Sequence, residues 1–163
     1  MECIYCTPEW LEESAKIYQA TPRFQENLKR LSVRVFFRII AEPEWEINED
    51  FIFGALVTAG ELNELRFFSE EQAMENADFI MAASPQEWKL ILRKEHKFLT
   101  DFLLGKIALE KGSKVGVLGL APYADMFIEA LTQVDLKFQD EMSIQELQEY
   151  RDYASQFRTE MKI

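Results

Sequence analysis

The chain has 163 residues, with 18 basic and 29 acidic side chains and a formal net charge of −11. Its length suits one domain, and a hydrophobic fraction of 48% with 13% aromatic residues excludes an intrinsically disordered chain, which could not bury enough apolar surface to offset backbone entropy. No run approaches the ~18 apolar residues of a membrane span. The first residues also lack the basic and apolar regions of a secretory signal, so the expected compartment is the cytoplasm.

Charge is distributed unevenly along the chain. Residues 41–80 carry eleven acidic side chains and one basic one, a net of −10, whereas residues 81–114 carry four acidic and seven basic ones, a net of +3. Binding to nucleic acid requires a basic stripe that displaces counterions from phosphates, which this chain does not supply. The same acidity disfavours docking on an anionic membrane surface. We therefore expect no nucleic-acid partner and no stable membrane insertion.

The first half of the chain predicts two helices followed by strands. Thr-Pro pairs, which place a capping hydroxyl before a proline, and apolar spacing predict helices over residues 8–19 and 22–31. Period-two alternation and β-branched or aromatic runs then predict four strands. These strands cover residues 33–40, 51–59, 62–67 and 77–82, with a hairpin turn at Gly60-Glu61 and a short polar helix or turn at 69–76.

The second half is predicted to be mainly helical. Ser84 and Ser143 each begin a capping box that starts an amphipathic helix. Between these two helices we expect an amphipathic segment that begins at Phe98 and ends at Gly105, a short strand over 106–109 and a helix over 120–133. The order of elements indicates a single α+β domain, with a mostly antiparallel sheet covered by helices on one side.

Motifs for catalysis, metal binding or cofactor binding are sparse. The single Cys-x-x-Cys, Cys3 and Cys6, would need further zinc ligands in a chain that has one histidine, so the pair is interpreted as incidental. That histidine, His96, lies in a charged run and is expected to be exposed. The glycine-rich run 112–119 lacks a dinucleotide-binding spacing, which favours a loop or close helix packing over phosphate binding. The paired carboxylates are expected to be solvated, and we predict no cofactor, no metal and no enzymatic activity.

An excess of aromatic residues remains after these exclusions. A sheet covered by helices uses such residues either to fill a core or to line a cavity for an apolar ligand. Composition alone does not separate the two. The aromatic set comprises Phe67, Phe68, Phe79, Trp88, Phe98, Phe102, Tyr123 and Phe127.

Residues 32–134 resemble the sterol carrier protein-2 lipid-transfer domain. The resemblance lies in four runs, FIFGALV from Phe51, FFSEEQA from Phe67, ADFIMAASPQEW from Ala77 and FLLGKIALEKG from Phe102, followed by the helix with Phe127. It implies a five-stranded mostly antiparallel sheet with helices on one face, an apolar tunnel for lipids, no catalysis and no metal. The tunnel walls implied by the resemblance are Trp88, Leu92, Phe98, Phe102, Leu103, Leu120, Tyr123 and Phe127.

The chain departs from that family in three ways: it is acidic, and it has an extra N-terminal segment (1–31) and an extra C-terminal amphipathic helix (141–163) around the 32–134 core. The apolar stripe of the last helix could plug the tunnel, form a homodimer face or pack on its own domain. The members of this stripe are Ile144, Leu147, Tyr150, Phe157 and Met161.

Two functional hypotheses follow. The first is non-catalytic binding or carriage of a long-chain lipid (a fatty acid, acyl-CoA or sterol-like molecule) in a hydrophobic pocket, with Lys89, Arg93 or Lys97 at the head group. The alternative is a protein-interaction or dimerisation module with a self-filled core and an acidic surface that selects a basic partner. An enzyme, or a lobe that cradles an enzyme's apolar substrate, is the least favoured interpretation.

Overall fold

Residues 2–163, which the computed structural model describes, form seven strands and eight helices. Met1, the first residue of the predicted N-terminal segment, lies outside the described residues. The strands are β1 (Glu2–Ile4), β2 (Val33–Ile39), β3 (Phe51–Thr58), β4 (Glu61–Phe68), β5 (Phe79–Ala83), β6 (Ala108–Lys111) and β7 (Asp135–Lys137). The helices are α1 (Pro8–Ala20), α2 (Pro22–Asn27), α3 (Glu70–Asn76), α4 (Pro85–Leu92), α5 (Phe98–Leu103), α6 (Lys114–Leu120), α7 (Ala124–Leu131) and α8 (Ile144–Met161). No helix within residues 2–163 has the length and apolar character needed to cross a bilayer.

The main sheet has five strands in the order β4-β3-β2-β5-β6. Three of its neighbouring pairs are antiparallel, and β2 pairs with β5 in parallel, with Val35 opposite Phe79. The parallel pair requires a crossover, and β3, β4 and α3 provide it. The predicted α+β class with a five-stranded, mostly antiparallel sheet is confirmed.

The two faces of the sheet are covered unequally. Alternation along β2 sends Val33, Val35 and Ile39 into the large core beneath most of the helices, while Phe36 points to the opposite face. That opposite face has a small apolar cluster of its own, which α3 covers through Ala73 and Ala77. The short polar helix therefore packs on the side away from the other helices.

Several element boundaries differ from the sequence prediction. α2 ends at Asn27 rather than residue 31, because the Leu31 carbonyl accepts a hydrogen bond from the Gly60 N–H of the hairpin (3.0 Å) instead of continuing the helix. β6 begins at Ala108 rather than residue 106, because a turn at Gly105 (φ 81°) carries the chain out of α5 first.

The glycine-rich run is helical from residue 114 onward. The Ser113 hydroxyl accepts a hydrogen bond from the Gly116 N–H (3.0 Å) and starts α6, so the helix predicted for residues 120–133 begins earlier and is interrupted by a 3-10 turn at Ala121–Tyr123. A Cβ at Gly116 would lie 2.6 Å from the Phe79 ring, so glycine here permits close packing of α6 on the sheet.

Both ends of the chain contribute to the same core. β1 and β7 form a parallel two-stranded sheet in which Cys3 is opposite Leu136, a pairing that the sequence did not indicate. Cys3 and Cys6, interpreted from the sequence as an incidental pair of thiols, are free and are buried in this core. Cys6 also accepts a hydrogen bond through its carbonyl from the Tyr150 hydroxyl of α8 (2.9 Å).

The last helix packs on its own domain. Tyr150, Ala154 and Phe157 are buried, and the Phe157 ring stacks on Phe67 with centroids 5.8 Å apart. Of the predicted stripe, Ile144 is 78% exposed. The homodimer hypothesis is therefore not supported, because Tyr150 and Phe157, the aromatic members of the stripe, are covered by the chain itself.

Candidate functional site

An apolar cavity of about 70 Å³ lies between the main sheet and the helices. Its floor consists of Val35, Phe37, Phe53 and Met81, which β2, β3 and β5 direct to the same face. The Phe37 and Phe53 rings stack with centroids 5.0 Å apart. The sheet thus supplies a rigid aromatic floor.

Helix α4 forms one wall. The Ser84 hydroxyl accepts a hydrogen bond from the Glu87 N–H (3.2 Å) and fixes the start of the helix, and the three- and four-residue spacing then places Trp88, Ile91 and Leu92 against the cavity. The Trp88 indole N–H donates a hydrogen bond to the carbonyl of Arg38 on β2 (2.9 Å). This bond fixes the ring over the sheet and leaves its apolar surface to the cavity.

The segment 114–131, comprising α6, the 3-10 turn and α7, covers the cavity as a lid. Its inner side chains are Leu120, Ala124, Phe127, Ile128 and Leu131. They recur at intervals of one, three and four residues, as expected for one face of a helix.

The extra N-terminal segment closes one end of the cavity. Trp10 of α1 and Tyr5 line it, and the Trp10 indole N–H donates to the Leu131 carbonyl at the end of the lid (2.9 Å). Trp10 also meets Phe53 edge-on, with centroids 5.3 Å apart. The N-terminal segment is therefore part of the site.

A smaller cavity of about 20 Å³ adjoins the first. The two share Phe37, Phe53, Phe127 and Leu131, so these side chains separate one space from the other. Both are far smaller than the roughly 300–1,000 Å³ of typical ligand pockets. A long ligand can therefore enter only if the lid moves outward.

A polar pocket of about 300 Å³ lies next to the cavity. It shares Ile91 and Ile128 with the cavity, and its other lining residues are Lys94, His96, Lys97, Asp125 and Glu129. Charged side chains of both signs thus lie just beyond the apolar wall, where the polar end of an amphiphile would meet them.

Two of the three predicted head-group residues point elsewhere. Lys89 forms an ion pair with Asp140 (2.9 Å), and Arg93 forms one with Glu141 (3.0 Å). Both pairs attach α4 to the segment before α8. Of the predicted three, Lys97 lies in the polar pocket.

The predicted exposure of His96 is corrected by the structure. Its side chain is 35% exposed, and its Nδ1 lies 2.7 Å from Oδ2 of the buried Asp101. Glu87 joins them from α4. Burial, reinforced by Asp101, raises the pKa of Glu87 to about 7, while hydrogen bonding to Glu87 and His96 lowers the pKa of Asp101.

Comparison with known proteins gives matches among solved structures. No protein-family profile matches the chain, and no curated protein sequence matches it. A conserved hypothetical protein of Thermus thermophilus, suggested to be a sterol carrier protein, superposes with a TM-score of 0.68 and 16% identity over 80% of this chain and 90% of that one. The crystal structure of a sterol carrier protein 2 superposes with a TM-score of 0.65 and 17% identity, over 78% of this chain and 97% of that one. The apo form of sterol carrier protein 2 of Yarrowia lipolytica superposes with a TM-score of 0.53 and 11% identity, over 77% of this chain and 88% of that one.

The chain has the sterol carrier protein-2 fold. The sequence resemblance, which rested on several short runs of residues, therefore led to the correct architecture.

Five of the eight residues that the sterol carrier protein-2 resemblance placed in the tunnel wall line the cavity. They are Trp88, Leu92, Phe98, Leu120 and Phe127. Their contact with a ligand stays a prediction.

The other three lie away from the cavity. Phe102 stacks behind Phe98 with centroids 5.9 Å apart. Leu103 is 67% exposed, because the next position on the short helix α5 turns toward solvent. Tyr123 belongs to the 3-10 turn Ala121–Tyr123 between α6 and α7.

Sequence reasoning missed the floor and one end of the cavity. The period-two alternation of β2 and β3 already placed Val35, Phe37 and Phe53 on a single face, and this signal could have identified the floor. Tyr5 and Trp10 had no such signal, because the sequence did not show that the N-terminal segment meets the lid.

Proposed function

We propose that this protein binds a long-chain lipid in the apolar cavity and carries it without chemical change. The observation that carries the proposal is a cavity lined by apolar and aromatic side chains between sheet and lid, in a fold shared with proteins named as sterol carriers. Burial of a chain contributes about 0.8 kcal/mol per methylene. A chain of about ten methylenes thus supplies roughly 8 kcal/mol before the costs of immobilisation and lid movement are subtracted.

Ligand entry in this proposal requires displacement of the lid. The lid is held at one end by the Trp10–Leu131 hydrogen bond and by the ion pair between Arg23 and Glu129 (2.7 Å). The ion pair is exposed and therefore worth little. The apolar contacts of the lid with the floor are replaced by similar contacts with the lipid, so opening costs less when a lipid is present.

The polar end of the lipid is proposed to lie in the pocket with Lys94 and Lys97. Asp125 and Glu129 also line this pocket, but Glu129 is paired with Arg23. The two ammonium groups therefore outnumber the remaining carboxylate and favour an anionic head group, such as the carboxylate of a fatty acid, over the hydroxyl of a sterol. The ligand class we propose is therefore a long-chain fatty acid or a related anionic amphiphile.

The test is lipid binding by delipidated protein. Displacement of a fluorescent fatty acid by unlabelled palmitate measures affinity, and Ala124→Trp fills the cavity from the lid. We expect Ala124→Trp to weaken binding at least tenfold, whereas the matched control Ala20→Trp, at an exposed position of α1, binds like wild type. Equal affinity in all three proteins would contradict the proposal.

A second experiment tests whether Lys97 contacts the head group, by comparing a charged ligand with an uncharged one. Lys97→Gln is expected to weaken palmitate binding several-fold and to leave binding of the uncharged alcohol hexadecanol unchanged. Lys29→Gln, whose lysine pairs with Glu26 on α2, is the control and should affect neither ligand. An equal loss for palmitate and hexadecanol would show that Lys97 does not contact the head group.

A further inference from the structure

We propose that Glu87, His96 and Asp101 form a binding site for a divalent metal ion, with Zn²⁺ as the preferred ion. The three residues come from different parts of the chain: Glu87 from α4, Asp101 from α5 and His96 from the connection between them. One ligand atom from each lies within 4.8 Å of the others. A single ion could thus contact all three with small side-chain movements.

The two carboxylates are buried, which separates this cluster from the solvated acidic groups elsewhere on the chain. Glu87 is 8% exposed and Asp101 is 2% exposed. Burial of charged groups is costly unless they are paired or bind a metal. The His96 ring pairs with Asp101, at 2.7 Å, and no side chain among residues 2–163 forms an ion pair with Glu87.

An unpartnered oxygen on Glu87 points independently to a ligand. Oε2 of Glu87 is buried and has no hydrogen-bond partner among residues 2–163. Leaving a buried acceptor unsatisfied costs about 1–3 kcal/mol, and more for a charged group. A metal ion in the cluster would satisfy this oxygen and neutralise the two carboxylates at once.

The donor set determines the choice of metal. Mg²⁺ and Ca²⁺ prefer oxygen ligands throughout, whereas an imidazole beside carboxylates suits Zn²⁺. Zinc binds histidine nitrogen at about 2.0–2.1 Å and carboxylate oxygen at about 2.0–2.2 Å, and three protein ligands leave its fourth position for water. Coordination by the Nδ1 lone pair of neutral His96 would replace its present contact with Asp101, and a proton bound within the cluster would be released.

The position of this site suggests a structural effect on the cavity wall. Glu87 directly precedes Trp88, which lines the cavity, and His96 also lines the polar pocket. An ion held by all three residues would join α4 to α5 and fix this wall. We therefore expect the metal to raise the thermal stability of the protein, whether or not lipid is bound.

The experiment uses the full chain after treatment with a chelator. Titration with ZnCl₂ by calorimetry should show saturable binding of one ion per chain. Because His96 is the chain's one histidine, its ring signals in a ¹⁵N-edited NMR spectrum report this site directly in the wild type. We expect those signals to shift and to saturate at one equivalent of Zn²⁺.

Variants identify the ligands. Glu87→Gln and His96→Gln should each weaken Zn²⁺ binding at least tenfold, while Cys3→Ser/Cys6→Ser, which removes the chain's two thiols, should bind like wild type. Binding that disappears with the cysteines, or imidazole signals that do not move on addition of Zn²⁺, would overturn the proposal. The NMR titration of the wild type tests Zn²⁺ binding at His96 even if a variant fails to fold.

Discussion

Phe127→Ala should alter which lipid chain lengths the protein accepts. Phe127 lines both the cavity of about 70 Å³ and the neighbouring one of about 20 Å³, so its removal joins the two and adds the space of the ring. That space accommodates about three further methylenes, which at ~0.8 kcal/mol each gives about 2 kcal/mol, or roughly a 30-fold gain in affinity for the longer chains. The half-buried ring should cost about 2 kcal/mol of folding stability when it is lost.

The assay is competition of C12, C16 and C20 fatty acids against a fluorescent fatty acid, for wild type and for Phe127→Ala. Phe68→Ala is the matched control, because Phe68 is buried on the opposite face of the sheet, where it packs on Phe36. We expect the control to lose stability but to retain the wild-type chain-length preference. If Phe127→Ala keeps the wild-type preference as well, the cavity does not hold the acyl chain.

Three further predictions concern stability and reactivity. Trp88→Phe removes the indole donor to the Arg38 carbonyl and should lower the free energy of unfolding in urea by about 1–3 kcal/mol; an unchanged value would mean that the bond contributes nothing. Burial raises the pKa of the Cys6 thiol to about 12, so iodoacetamide at pH 8 should label Cys6 in urea alone, and rapid labelling of the native protein would contradict its burial. The ion pair with Lys137 lowers the pKa of Glu146 to about 2, so its stabilisation is present above about pH 4.5 and lost as the pH falls toward 2. Glu146→Gln should therefore be less stable than wild type at pH 6 and equal to it near pH 2, and a constant difference would refute this.

The sequence predicted the elements with strong local signals. The hydroxyls of Ser84 and Ser143 accept the expected backbone hydrogen bonds at the helix starts, and at Ser143 the side chain of Glu146 completes the predicted capping box. The alternation from Val33 onward gave β2 within one residue of its end. The order of helices and strands, together with the run that begins at Phe51, was sufficient for the fold class. These features depend on residues near one another in the sequence.

Features that depend on distant contacts were missed. β1 and β7 are three residues long, and each has its partner more than 130 residues away, so neither has a detectable pattern of its own. Cys6 is buried by a helix that begins at Ile144. His96 was assigned to solvent because its neighbours in sequence are charged, although Asp101 turns back toward it within one short helix.

Only part of the site was predicted, because its walls depend on how the helices are placed as well as on local sequence patterns. Helical spacing placed Trp88 and Leu92 on one face of α4, and the family resemblance assigned these two and Leu103 to the wall without fixing the rotation of each short helix. Cavity walls depend on the rotation of each helix about its axis, which short helices with few turns define poorly from sequence.

A lipid that accompanies the purified protein would test the binding proposal most directly. Native mass spectrometry of the full chain, followed by solvent extraction of the same sample, measures any bound lipid and identifies its class. We predict a discrete excess mass that extracts as one class of long-chain anionic lipid. An apo mass that does not change when fatty acids and sterols are offered would mean that the aromatic residues around the cavity only pack the core.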